Sequence, residues 1–286
     1  MAHESRFRPR RPLGRTAFVA SPLGVGDLAD RALGKERCVS VLRRALDHGL
    51  NVVDTAPSYE DGFSEEVVGE AVRDRRDRVF VIDKIDHLDR PLEPQLDESE
   101  ARLGFAPDAF VFHGISTREQ LSDVLSGPME RLRDRVRYRG VSSHHPEIVA
   151  AAIDSGTCDL LMFAIGPFAD ARYASLLARA KASGIGTVCF KTFGAGKLLG
   201  DSEGYGRPSS KQGLPRLTVD ECVRYTLTLD PDVALLGLSD EEEQDAAFAA
   251  AARFTAYSPE ELADVRRRAA DAVRDKGKIW WDPPAP

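Results

Sequence analysis

Four apolar runs each end in a side chain able to carry charge or a hydrogen bond: "NVVD" closes on Asp54, "VFVIDK" on Lys84, "AFVFH" on His113 and "RYRGVS" on Ser142. Tyr59 follows five residues after Asp54, beyond a "TAPS" turn. A phenol with its ordinary pKa of about 10 is a weak proton donor near neutrality. A neighbouring ammonium lowers that value by favouring the phenolate, and a carboxylate behind the ammonium keeps it charged and in place. Tyr59, Lys84 and Asp54 make such a relay, and His113 can hydrogen-bond and aim the same substrate oxygen. This set suits proton delivery to a carbonyl that is receiving a hydride. Taken singly, each group has a plainer reading: Asp54 as a cap, Tyr59 as a rim aromatic, Lys84 as a snorkelling surface residue, His113 as a satisfied core histidine.

The elements that must bring these groups together alternate in period. "ERCVSVLRRALDHG" carries a helical stripe from Cys38 to Leu46 closed by Gly49, and "LNVVD" is a short apolar strand. "SEEVVGEAV" reads as a helix with Ser64 as its N-cap and acids in the first turn. Strand 79–84, helix 92–103, strand 109–113, helix 117–133 and a strand ending at Ser142 follow. "HPEIVAAAIDSG" is a helix started by Pro146 and stopped by Gly156, leading into "CDLLMFAI". Helix 170–183, strand "IGTVCF", helix 218–229, strand "VALLG" and helix 240–252 continue the series, and an opening strand near "FVASPLG" makes about eight units. Strands this apolar must be buried on both faces, which predicts a single-domain (β/α)8 TIM barrel over 1–286; a doubly wound α/β sheet is the alternative. In such a barrel the site lies at the carboxyl ends of the strands, so the four polar strand ends share one rim. Ser258 and Glu261 stand at capping-box spacing, so an extra C-terminal helix packs outside the repeat. Asp83, next to Lys84, points away from the barrel axis by strand alternation. The Gly-, Ser- and Pro-rich stretch 194–216 is one long connection over the site.

Composition bounds the functions. Hydrophobic residues make up 42% and charged residues 30% of 286, an ordinary soluble balance with enough apolar material for a core. The formal net charge of −7 with dispersed basic residues excludes a broad nucleic-acid surface. Arg6, Arg8, Arg10, Arg11 and Arg15 crowd the first fifteen residues, read as a solvated leader with an anion contact as the alternative. No apolar segment follows them as in a signal peptide, and "LLMFAIGPF" is too short to span a bilayer. Cys38, Cys158, Cys189 and Cys222 lie far apart in apolar segments, which predicts reduced core thiols in a cytoplasmic protein. Residues 278–286 read as a tail. Adjacent His144 and His145 lack the companions of a metal site. Oligomeric state is left open.

"GLNVVDTAPSYEDGFSEEVVGEAV", "VFVIDKI" and "DAFVFHGI" resemble the signature of the aldo-keto reductases, and the likeness runs from "LGRTAFVASPLGVG" through "RGVSSHHPEIVAAAIDSGTCDLL" to "FKTFGAGKLL". The resemblance implies a (β/α)8 barrel, hydride from NADH or NADPH, and a small-molecule carbonyl or alcohol substrate. It assigns Asp54, Tyr59, Lys84 and His113 to the catalytic tetrad, with Tyr59 as proton donor. It implies that Ser142 and Ser143 hold the nicotinamide carboxamide together with a glutamine whose position here is Met162, and that Phe190 stacks on the ring. Gly194, Gly196, Lys197 and Leu198 stand where the family binds phosphates, as do Leu238 and Ser239 before the last barrel helix. There NADPH-using relatives carry basic residues, whereas this chain has Asp240, Glu241, Glu242 and Glu243, so NADH is favoured; the same acids also suit a helix N-terminus. Substrate contacts are expected from Asp27, Leu28, His87 and Phe168, besides Tyr59 and His113. Two other readings stay open: a nucleotide-sensing barrel without turnover, and a lyase or isomerase using Lys84 as a Schiff-base amine.

Overall fold

The computed structural model describes residue 7 and residues 11–279. Eight parallel strands close into a barrel in sequence order: β1 Leu23–Val25, β2 Val52–Asp54, β3 Phe80–Ile85, β4 Ala109–Phe112, β5 Tyr138–Ser142, β6 Leu160–Ala164, β7 Gly186–Phe190 and β8 Val233–Leu236. The ring shuts where Ala234 of β8 lies opposite Leu23 of β1. Helices α1 Lys35–Asp47, α2 Phe63–Val72, α3 Leu92–Leu103, α4 Arg118–Leu125, α5 Pro146–Ser155, α6 Arg172–Ala182, α7 Val219–Leu229 and α8 Glu241–Ala252 alternate with the strands, and α9 Pro259–Val273 follows.

Alternation along each strand divides the core. Phe80 and Ile82 of β3 join Val52, Val111, Leu160, Met162 and Val188 inside the barrel. Val81 and Ile85 instead pack towards the helices. The same parity puts Lys84 inside the mouth and Asp83 outside it, as alternation along β3 requires. Register then sets neighbours: Asp54 lies opposite Ile82, Lys84 opposite Val111, and Ser142 opposite Met162.

Four local expectations need correction. Helix 117–133 breaks after Leu125 and restarts as the short helix Pro128–Arg131. Pro128 has no N–H to continue the ladder and restricts the residue before it. Ser64 is not the N-cap of α2: Gly62 is, at φ +81°, and the Ser64 hydroxyl accepts a hydrogen bond from Thr55 Oγ1 at 2.9 Å. The described part of the 1–15 leader is not a free tail, although Pro12 and Arg15 are exposed. Arg11–Pro12 pairs with Val19–Ala20 as a hairpin across the barrel floor, Leu13 is fully buried there, and the Phe7 ring meets Phe248 edge-on at 5.3 Å. The other leader residues, 1–6 and 8–10, lie outside the described residues, as do 280–286 of the expected tail. Finally, the 194–216 connection holds a small hairpin, Ser202–Gly204 with Arg207–Pro208.

Gly69 marks the closest approach of α2 to α3. A Cβ there would lie 2.3 Å from the Leu103 carbonyl oxygen. Alanine favours an isolated helix by about 1 kcal/mol over glycine. Gly69→Ala is nevertheless expected to destabilise the fold by about 1–3 kcal/mol, because overpacking forces the helices apart. Urea unfolding measures this, and a variant as stable as the parent would refute the close packing.

Candidate active site

Lys84 is buried at the barrel mouth. Nζ donates to both Asp54 carboxylate oxygens at 2.7 Å and to the Thr55 carbonyl at 2.8 Å. Burial alone would lower the Lys84 pKa, but the Asp54 charge and hydrogen bonds outweigh it and raise the value. Burial likewise pushes the Asp54 carboxyl up, against the pull of Lys84. A lysine held so firmly as an ammonium lacks the lone pair that a Schiff base needs.

Tyr59 reaches this pair through an unusual turn. Glu60, Asp61 and Gly62 take φ of 50°, 52° and 81°, three successive left-handed residues that fold the chain back before α2. The Tyr59 ring comes to lie with its centroid 4.3 Å from Lys84 Nζ and edge-on to His113 at 5.9 Å. Its acidity runs opposite to expectation. Burial dominates over the Lys84 charge and pushes the phenol up to about 12. Tyr59 is thus a firmly protonated phenol in the resting site.

His113 leaves β4 beside a carboxylate that sequence reading gave no role. Its Nδ1 contacts Asp86 Oδ1, and Asp86 Oδ2 accepts from the Ser58 backbone N–H at 2.8 Å. The signal available was parity: Asp86 stands two residues beyond Lys84, on the same side of the chain. Asp83, the residue before Lys84, faces outward to Glu65 of α2, which Arg102 of α3 binds. Burial pushes the Asp83 carboxyl well up, and the Glu65 charge adds to the effect.

A cavity of about 720 Å³ opens over these groups. It is lined by Asp54, Tyr59, Lys84 and His113 together with Asp27, Ser142, Met162, Phe190, Gly196, Leu238 and Ser239. Ser142 Oγ accepts from the Gly114 N–H at 3.1 Å, leaving its own proton for the cavity. The Phe190 ring faces the cavity with His144 against it at 4.9 Å.

Other expected site residues lie elsewhere. Ser143 Oγ donates to the Ile115 carbonyl at 2.6 Å and accepts from His145 N, so its hydroxyl is spent within the fold. Gly194 and Leu198 are buried off the cavity. Lys197 points its ammonium at the carbonyls of Lys276 and Lys278, not at a phosphate position. Leu28 packs into the core between barrel and helices, and Phe168 packs against the cluster under α9. His87 is exposed, with its backbone held by Gln95. Lining residues that sequence reading missed include Lys191 and Tyr205, whose contact at 2.5 Å crosses from the end of β7 to the small hairpin. Burial pushes the Lys191 ammonium down to about 8. No local pattern in the long connection announces Tyr205. Among the described residues no group of three or more potential ligands gathers as a metal site, and no helix is long and apolar enough to cross a membrane.

A family model described as the Aldo/keto reductase family matches residues 23–265. The chain belongs to that family. Over 158 residues it is 27% identical to the uncharacterized oxidoreductase YqkF of Bacillus subtilis (strain 168), a match covering 49% of this chain and 50% of that protein. Among solved structures, aldo-keto reductase AKR11C1 from Bacillus halodurans in its holo form superposes with a TM-score of 0.71 at 19% identity, over 92% of this chain and 96% of that one. An aldo/keto reductase from Klebsiella pneumoniae, solved with NADP and acetate, gives 0.67 at 23% identity, over 90% and 95%. At those identities the two structures establish the shared barrel. The chain spans about half the length of the curated relative above, and in this aldo/keto reductase the four polar strand ends occupy the barrel mouth.

The Asp83–Glu65 pair generates a test. The folded-state pKa of Asp83 lies above the unfolded value of about 3.9. The proton it holds therefore contributes stability fully present below that value and lost as pH rises through the folded one. Asp83→Asn keeps the shape without the titration. Its stability relative to the parent should increase as pH rises from about 4 towards neutrality, measured by urea unfolding at each pH. A gap independent of pH would mean that Asp83 is ionised throughout.

Proposed function

We propose that the cavity reduces an aldehyde or ketone to an alcohol, or runs the reverse, with Tyr59 as general acid and a nicotinamide dinucleotide as hydride source. The observation that carries this is the meeting of a protonated phenol, a fixed ammonium and an imidazole beside the open face of Phe190. The residues present suit the dinucleotide. Phe190 offers a flat apolar face for the ring, and Ser142 offers a hydroxyl proton for the carboxamide. When bound, the nicotinamide supplies or accepts the hydride.

The chain's own groups handle the rest. As the carbonyl carbon gains a hydride, its oxygen gathers negative charge and becomes far more basic than a phenolate. A phenol near 12 gives up its proton to such an alkoxide while remaining protonated beforehand. The ammonium of Lys84, held by Asp54, then stabilises the phenolate left behind. Water reprotonates Tyr59 after release.

The entry to α8 bears on cofactor choice. Ser239 N–H donates to Glu243 Oε2 at 2.7 Å and Glu243 N–H to Asp240 Oδ1 at 2.8 Å. These donors already serve the chain's own carboxylates, which also repel a 2'-phosphate, so NADH is favoured over NADPH. The Klebsiella structure holds NADP, and nothing in that transfers to these acids. A nucleotide-sensing role without turnover is the second reading, supported by the engaged Ser143 hydroxyl and the apolar Met162 where carboxamide contacts are expected.

Tyr59→Phe should lower kcat for carbonyl reduction by about 10²–10⁴ and leave dinucleotide binding nearly intact; full activity would remove Tyr59 as the acid. Silence across a carbonyl panel despite tight binding would favour the sensor. In a fluorescence titration NADH should bind more tightly than NADPH, and the opposite order would overturn the cofactor preference.

A further inference from the structure

We propose that Asp86 is a positioning residue that keeps the Nδ1 proton on His113 and ties that ring to the turn carrying Tyr59, so that His113 donates to a carbonyl oxygen only as the imidazolium. The proposal deepens the redox reading above and rests on it for the identity of the oxygen.

The geometry has two ends. One Asp86 oxygen meets His113 Nδ1, and the other accepts from the N–H of Ser58, the residue before Tyr59. One carboxylate, on the loop after β3, thereby joins the end of β4 to the turn after β2. Ring and phenol are left edge to face at 5.9 Å. Burial pushes the Asp86 carboxyl up, yet the bonds from His113 and Ser58 outweigh it and hold it below the usual carboxylate range.

Two acceptors do not share a hydrogen bond, so the nitrogen facing this carboxylate carries the proton. In the neutral ring Nε2 is then a bare lone pair. It can accept from an alcohol O–H but has nothing to give a carbonyl oxygen. Only a second proton, on Nε2, makes it a donor. The charged groups facing the ring are Asp86 on its Nδ1 side and Asp54 with Lys84 behind, and Tyr59 stands edge-on. Carbonyl reduction therefore calls for the cationic ring and alcohol oxidation for the neutral one. A histidine without a carboxylate at Nδ1 would be free to take the other tautomer and serve reduction uncharged.

The test uses the full chain with ¹⁵N-labelled histidine, His113 being assigned by the signals lost in His113→Asn. At high pH the parent should show a protonated Nδ1 and a bare Nε2. In Asp86→Ala the ring should shift towards the Nε2–H form, and kcat for reduction should fall at least about tenfold with KM changing less. The high-pH decline in reduction should disappear or move up, because a neutral ring carrying Nε2–H still donates. Asp86→Asn guards against a folding defect in the alanine variant. Its amide oxygen can accept from Ser58 N–H while its NH2 donates to a bare Nδ1, so it should show the same Nε2–H ring and the same change of pH profile with a smaller loss of kcat. A parent ring protonated on Nε2 at high pH, or an Asp86→Ala ring and pH profile like the parent's, overturns the proposal. The expected ring signature without reduction of any carbonyl supports the Asp86 tie and sinks the redox reading instead.

Discussion

A charged ammonium enclosed at the mouth of an apolar barrel is the constraint on which the site depends. Stripping water from an ion costs several kcal/mol even after relaxation. Lys84 meets that cost with three acceptors at 2.7–2.8 Å, two of them on the counter-ion Asp54. Removing either partner would leave an uncompensated buried charge, which is typically worth about 3–5 kcal/mol of destabilisation. Because the third acceptor is the Thr55 carbonyl, the pair also fixes the backbone where β2 turns towards Tyr59. Positioning of the phenol thus begins in the ion pair.

Around that charge the barrel separates two environments. Below it the interior is filled by the apolar side chains of Ile82, Val111 and their neighbours. Above it lie Tyr59, His113 and Asp86. The strained turn 60–62 and the Ser58–Asp86 bond hold Tyr59 from the loop side, while Lys84 faces its ring from the barrel side. Held from both directions, the phenol meets His113 at a set angle. Burial that keeps Tyr59 protonated is therefore a product of the same packing that aims it.

Much of this was legible in the sequence, for reasons that differ by residue. A strand buried on both faces must be apolar, so Asp54, Lys84, His113 and Ser142 stand out against their own runs without any knowledge of contacts. Parity along β3 separates Lys84 from Asp83. Asp86 stayed hidden because its meaning lies in His113 and Ser58, both remote along the chain and brought to it only by barrel closure. Ser143 and Lys197 carried plausible chemistry at plausible positions, yet their polar atoms are claimed by Ile115 and by the chain end near Lys276. The Tyr59 acidity was misread because burial and the Lys84 charge act in opposite directions, and a sequence gives no measure of burial at a loop residue. Gly62, not Ser64, starts α2 because only the tight return after Tyr59 demands left-handed backbone there.

The lysines around the mouth show why acceptors and counter-charges are not equivalent. Lys197 and Lys276 exchange bonds in a closed loop: Lys197 Nζ reaches the Lys276 carbonyl, and Lys276 Nζ donates to the carbonyls of Lys197 and Pro215 at 2.7 and 2.8 Å. Each donates to backbone carbonyls, and burial lowers both pKa values against the weaker pull of Glu203 on Lys197 and Asp201 on Lys276. Lys191, half-buried against Tyr205, falls to about 8 for the same reason. Lys84, more enclosed than Lys191, moves the other way because Asp54 supplies a full negative charge. Carbonyl cages tether the segment after β7 to the end of α9 and serve architecture. A carboxylate pair makes a permanent cation, and a permanent cation is what the proposed proton transfer from Tyr59 requires. The placement of Asp54 at the end of β2, one strand from Lys84, is in that sense the step at which the barrel acquires its chemistry.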